Sequence, residues 1–159
     1  MESIMIYASN DGTVENIVRR LLMKSKEEIL SINVLKEEVP NLDDYDNVMI
    51  GGSIYHGKIQ KQLTKFIHGH LQILLTKRVG LFLYAGETEK EKVAAAFDQA
   101  FPEVLRNHSV CNEIFGYSYQ LHDMNLFEKM FLKRAKGATD HDTWLNETGI
   151  EHFFKTMLI

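Results

Sequence analysis

Apolar residues recur along this chain with two periods, and the switches between them mark out its elements. Ile4-Met5-Ile6, inside Ser3–Ala8, is a short unbroken apolar run that predicts a first strand. Val14, Ile17, Val18, Leu21 and Leu22 then fall at i, i+3, i+4, i+7 and i+8, one face of a helix over roughly 13–26. Leu30 to Val34 alternates apolar and polar, as in an edge strand or a strand with one covered face. The polar stretch 37–46, with Pro40, predicts a loop. Asn47 to Ser53 is apolar nearly throughout and predicts a central third strand. A helix carrying Ile59, Leu63, Phe66, Ile67 and Leu74 follows, and Val79 to Ala85 is the fourth strand. Thr88-Glu89-Lys90-Glu91 has the form of a capping box opening a helix with Val93, Ala96, Phe97 and Ala100. Val110 to Tyr119 is a fifth strand. An extra segment, about 120–143, comes before a last helix that a second capping-box pattern, Thr148 to Glu151, opens and that Ile150, Phe153, Phe154, Met157 and Leu158 stripe.

Strands alternating with helices predict an α/β fold, a parallel sheet between two helical layers. Five such units without a dinucleotide fingerprint predict strand order 2-1-3-4-5. Nothing resembling a linker or an internal repeat interrupts the 159 residues, so residues 1–159 are read as one domain. Hydrophobic residues make up 45% and charged residues 25%, a globular balance. The net charge of −4 argues against nucleic acid as a partner. Cys111 is the single cysteine, so neither an internal disulfide nor a cysteine-based metal site is expected, and a reducing cytoplasm suits the chain. No apolar run approaches the length of a membrane span, and no signal-peptide pattern stands at the N-terminus.

In a sheet of this order ligands bind at the carboxyl ends of the strands, at the switch point between strands one and three. Three loops converge there. After strand one comes Ser9-Asn10-Asp11-Gly12-Thr13-Val14, a hydroxyl-rich turn into a helix N-terminus. Its backbone N–H groups and the helix dipole favour an anion, and the absence of lysine suits a single phosphate. The equivalent loop after strand three is Ser53-Ile54-Tyr55-His56-Gly57, and after strand four Tyr84-Ala85-Gly86-Glu87. Tyr55 and His56 stand where a flat ring would find an aromatic neighbour, and the 84–87 backbone where it would run along the ring's edge. A phosphoacceptor receiver domain of this topology would need an aspartate ending strand three, where this chain has Gly51-Gly52-Ser53.

With these loops the chain resembles the flavodoxins, a family of three-layer α/β sandwiches that bind FMN. Ser9 to Thr13 looks like their phosphate loop, and the stretches 53–57 and 84–87 take the places of their two isoalloxazine loops. Within that group it is similar to the flavodoxin-type, menaquinone-dependent protoporphyrinogen oxidases. The similarity lies in Ser9-x-Asp11-Gly12, in Tyr45-Asp46-x-Val48-x-Ile50-Gly51-x-Ser53-Ile54-x-x-Gly57, and in Phe127-x-x-Met130 leading to Lys136-Gly137-Ala138-Thr139-Asp140. The stretch 84–108 departs from those oxidases and is shorter. The resemblance implies one non-covalent FMN, a quinone or a redox protein as electron partner, and a porphyrinogen as substrate in heme biosynthesis. The alternative is a flavodoxin that carries electrons between redox proteins and has no small-molecule substrate of its own.

The extra segment bears on that choice. Over 124–137, Met124, Phe127, Met130, Phe131 and Ala135 predict an amphipathic helix, with Arg134 lying within the apolar stripe. Lys129, Lys133, Arg134 and Lys136 against Glu128 give it a local charge of +3. Three readings stand: a cover for the sheet edge, a contact with a partner or with the inner face of the cell membrane through 124–136, or, as the resemblance to the oxidases implies, a seat for porphyrinogen propionates. Glu87 is the acid expected to disfavour a reduced, anionic flavin. No side-chain nucleophile or triad is expected, and His68 and His70, two residues apart, do not share a helix face as metal ligands would.

Overall fold

The computed structural model describes residues 2–9, 13–25, 27–54, 58–84, 90–120 and 141–158. Within them the chain runs β1 (Ser3–Ala8), α1 (Thr13–Lys24), β2 (Leu30–Asn33), a 3-10 turn at Leu42–Asp44, β3 (Asn47–Ser53), α2 (Lys61–Gly69) and α3 (Leu71–Leu74). It continues through β4 (Arg78–Tyr84), α4 (Lys90–Ala100), α5 (Glu103–His108), β5 (Cys111–Gln120), β6 (His141–Leu145) and α6 (Glu147–Met157). The sheet order is β2-β1-β3-β4-β5-β6. Its first five strands are parallel in the order 2-1-3-4-5 that the alternation predicts, which makes this a flavodoxin-like α/β fold.

The alternation of side chains along the strands builds two cores. On one face Ile4, Ile6, Val48, Ile50, Leu81 and Leu83 pack against Leu63, Phe66 and Ile67 of α2, Leu74 of α3, Ala96 and Ala100 of α4 and Leu105 of α5. On the other, Met5, Tyr7, Met49, Phe82, Tyr84 and Phe115 meet Val18 of α1 and Ile150, Phe153 and Met157 of α6. The second core centres on aromatic contacts. Phe82 stacks on Phe115 at 4.3 Å, and Phe153 meets both rings edge-on at 5.7 and 5.0 Å. Gly51 is the empty position this stack requires, since a Cβ there would lie 2.3 Å from the Phe82 ring.

Several details differ from the sequence reading. A sixth strand, β6, extends the sheet antiparallel to β5, with Gly116 opposite Leu145 and Gln120 opposite His141. The predicted helix after β3 breaks at His70, whose Nδ1 stands 2.9 Å from the Phe66 carbonyl and whose ring stacks on Phe66. The cap of α6 is Asn146, not Thr148. Its Oδ1 accepts from the Gly149 N–H at 3.1 Å, and its Nδ2 donates to the Ile114 carbonyl at 2.9 Å. The capping box therefore yields to an asparagine that also ties the helix to β5. The predicted helix over 124–137 and the start of the Thr88–Glu91 box lie outside the described residues. Among the described residues no helix is long and apolar enough to cross a membrane.

Candidate functional site

Register aligns the strand ends that carry the predicted loops. Ala8 pairs with Gly52, Gly52 with Leu83, and Ser53 with Tyr84, so the residues after β1, β3 and β4 leave one edge of the sheet side by side. The strand crossover that splits connections above and below the sheet lies here, between β1 and β3. One backbone bond joins the second and third loops at their roots: the Ile54 N–H donates to the Tyr84 carbonyl at 2.8 Å.

Ser9 leaves β1 buried, 1% exposed, and its Oγ has no hydrogen-bond partner among the described residues. A buried hydroxyl without a partner carries a desolvation cost of about 1–3 kcal/mol. At the root of a strand-to-helix turn, with α1 opening at Thr13, an anionic oxygen would satisfy it. The Ser9 backbone, by contrast, is fully held. Asn33, at the end of β2 and 1% exposed, takes the Ser9 N–H on Oδ1 at 3.4 Å and donates Nδ2 to the Ser9 carbonyl at 3.1 Å. The same Oδ1 accepts from Leu35 N–H at 3.1 Å. The neighbouring Tyr7 carbonyl accepts from Val34 N–H at 2.9 Å. The edge strand thus fixes where the first loop begins.

The second loop is fixed from α2. Gln60 donates Nε2 to Ser53 Oγ at 2.8 Å, while its Oε1 stands 3.0 Å from where a Cβ on Gly52 would be. Glycine at 52 lets this side chain lie against the strand. Near the third loop the sheet bulges. Leu83 pairs with Ile114 but Tyr84 with Gly116, and Gly116 has φ of 154°, a conformation that favours glycine. Tyr7, two residues before Ser9, is 4% exposed. Burial above all, then Glu15 and Glu37, push its phenol up to about 12, with Arg19 opposing.

Of the predicted site residues, the structure brings Ser9, Ser53, Ile54 and Tyr84 to this edge, with Thr13 and Val14 as backbone at the start of α1. Asn10, Asp11, Gly12, Tyr55, His56, Gly57, Ala85, Gly86 and Glu87 lie outside the described residues. Asn33 and Gln60 escape sequence reasoning, because their roles depend on pairings of β2 and packing of α2 that no local spacing encodes. The signal that existed was a polar residue, Asn33, closing an alternating strand.

Comparison with known proteins agrees with this architecture. No curated protein sequence matches the chain. Its fold is similar to that of a flavodoxin from the domain Archaea, at 15% identity and a TM-score of 0.50, over 98% of this chain and 99% of that one. It is likewise similar to the apo form of an NADH:FMN oxidoreductase, at 16% identity and 0.50, over 99% and 90%. A Fusobacterium nucleatum flavodoxin bound to flavin mononucleotide aligns at 18% identity and 0.46, over 73% and 71%. The family model of the flavodoxin domain matches residues 4–145, and the chain belongs to that family.

Proposed function

We propose that this chain binds one FMN non-covalently at the β1, β3 and β4 strand ends and acts as a flavodoxin-type redox protein. The observation that carries the reading is Ser9, a buried hydroxyl without a partner among the described residues, whose own backbone Asn33 holds on both sides at the end of β1. It fits a phosphate monoester, and so do the family and the lysine-free sequence Ser9–Val14. When bound, FMN supplies the electron-transfer chemistry, and the protein supplies position and field. Ser9, Asn10, Asp11, Gly12, Thr13 and Val14 would hold the phosphate. The stretches 53–57 and 84–87 would flank the ring, kept in register by the bond from Ile54 N–H to the Tyr84 carbonyl. Glu87, an acid in the third loop, would oppose charge building on the reduced ring.

We further propose an oxidoreductase that takes electrons from a porphyrinogen-like substrate and passes them to a quinone. Support comes from the block Tyr45 to Gly57, from Lys136-Gly137-Ala138-Thr139-Asp140, and from the basic stretch 124–136. The four cations of that stretch suit propionates or an anionic membrane surface, whereas a carrier steered to basic redox partners would present an acidic rim. The alternative, a carrier between redox proteins, is favoured by the departure of 84–108 from the oxidase pattern.

An anaerobic assay separates the two. FMN-loaded protein, protoporphyrinogen and menaquinone are mixed, and porphyrin fluorescence is followed. The oxidase reading predicts turnover that falls when Lys129, Lys133, Arg134 and Lys136 are reversed to glutamate. Unchanged turnover in that variant removes the role of the stretch. No turnover at all, with intact electron exchange to a redox protein, establishes the carrier.

A further inference from the structure

At the opposite edge of the sheet from the proposed flavin site, three chemically distinct ligating groups converge. Cys111 is the first residue of β5, and Glu113 stands two positions on, on the same face. Both meet α6, which brings His152 across from 41 residues away in sequence. His152 Nδ1 lies 3.7 Å from Cys111 Sγ and 3.1 Å from Glu113 Oε1, and the three ligating atoms all fall within 4.8 Å of one another. Cys111 pairs with Gly80 in β4, four residues before Tyr84, so the cluster sits roughly 13 Å along the sheet from that strand end.

Both neighbours address the same imidazole nitrogen, and the thiol has a further neighbour in the Thr156 side chain. If Nδ1 carries a proton it donates to Glu113, with the sulfur as a second, weaker acceptor. If Nδ1 is bare it accepts from the thiol, and the carboxylate then faces a lone pair. A nucleophilic triad would engage the two ring nitrogens separately, one toward the thiol and one toward the acid. Here all three lone pairs can instead be directed at one point.

The geometry points to a divalent-cation site of the Zn²⁺ class, formed by Cys111 Sγ, Glu113 and His152 Nδ1. Tetrahedral zinc, with bonds of about 2.3 Å to sulfur and about 2.0–2.2 Å to nitrogen and oxygen, places its ligands about 3.4–3.6 Å apart. The observed 3.7 and 3.1 Å bracket that spacing. The third edge, from sulfur to carboxylate, is within 4.8 Å and would shorten on binding. One soft, one borderline and one hard ligand select zinc or cobalt over magnesium or calcium. Three protein ligands leave a fourth position for water. A lone cysteine first argued against such a site. The structure supplies partners that sequence spacing hides. A cation here would clamp β5 to α6, adding to the tie that Asn146 makes between the same elements.

The test uses the untagged full-length chain with Co²⁺ as a spectroscopic probe, recorded as difference spectra against the same sample before addition. One Co²⁺ per chain should bind with thiolate-to-cobalt charge-transfer absorption, and Zn²⁺ should displace it. Cys111→Ser should abolish that absorption. His152→Ala, at a side chain 65% exposed, should weaken Co²⁺ binding at least tenfold. Added Zn²⁺ should raise the melting temperature of the parent chain but not of His152→Ala. Absence of the charge-transfer signal, its persistence in Cys111→Ser, or unchanged affinity in His152→Ala would each overturn the site.

Discussion

Replacing Asn33 by leucine removes three hydrogen bonds while keeping a side chain of similar size. The Ser9 N–H, the Ser9 carbonyl and the Leu35 N–H lose their partner, and Ser9 is only 1% exposed. The two Ser9 backbone groups, buried and left unpaired, cost about 1–3 kcal/mol each, and the added apolar burial returns about 1–2 kcal/mol. The net expectation is about 2–4 kcal/mol of lost stability in urea unfolding. In a chain of this length that is roughly 5–12 °C in Tm. The functional consequence is separable. If Asn33 sets where the first loop begins, FMN binding, read by the quenching of flavin fluorescence, should weaken at least tenfold, about 1.4 kcal/mol. Asn33→Asp sharpens the case. It retains the Oδ1 acceptor but turns the Nδ2 donor into an oxygen facing the Ser9 carbonyl at 3.1 Å, and it adds a negative charge beside the phosphate loop. Its affinity for FMN should fall further than its stability does. Stability within about 0.5 kcal/mol of the parent, a change typical of surface positions, with unchanged FMN affinity in Asn33→Leu, would refute the reasoning. Lost stability with unchanged affinity would reduce Asn33 to a fold residue.

Three more outcomes are expected. Gly51→Ala pushes a methyl to 2.3 Å from Phe82, within a stack that Phe115 and Phe153 hold from the far side, and thermal melts should show a loss of about 1–3 kcal/mol or more. The folded-state pKa of Tyr7 lies above its unfolded value of 10.0, so its contribution is complete below pH 10 and is lost as pH rises toward 12. Two units correspond to at most about 2.7 kcal/mol, a pH dependence that Tyr7→Phe should remove from urea midpoints measured across that window. Glu87→Gln removes an acid from the third loop and should raise the flavin midpoint potential measured by redox titration; a lower potential would contradict the electrostatic reading.

The backbone of this fold was readable where a local pattern and the final environment coincide. Asn47–Ser53 is apolar on both sides because β3 lies at the centre of the sheet with helices on both faces. Leu30–Asn33 reads as an edge strand and β2 is the edge, although its burial does not follow the alternation, with Leu30 exposed and Asn33 buried. Where an element depends on a partner far along the chain, pattern failed. His141–Leu145 mixes polar and apolar residues and becomes a strand through its pairing with β5. The cap of α6 moved to Asn146 because that side chain also reaches the Ile114 carbonyl, a gain Thr148 does not offer. The site divides in the same way. Ser9, Ser53 and Tyr84 were visible as residues that end strands, whereas Asn33 acts across 24 positions and His152 across 41.

The row of strand ends at Ser9, Ser53 and Tyr84 is proposed as a flavin mononucleotide site. Titration of FMN with the purified apo chain, followed by flavin fluorescence and visible absorption, tests it most directly. Binding of one FMN per chain should be saturable and weakened by Ser9→Ala, with riboflavin binding far more weakly because it lacks the phosphate. A folded chain that takes up no FMN, or that binds riboflavin as tightly as FMN, would contradict it.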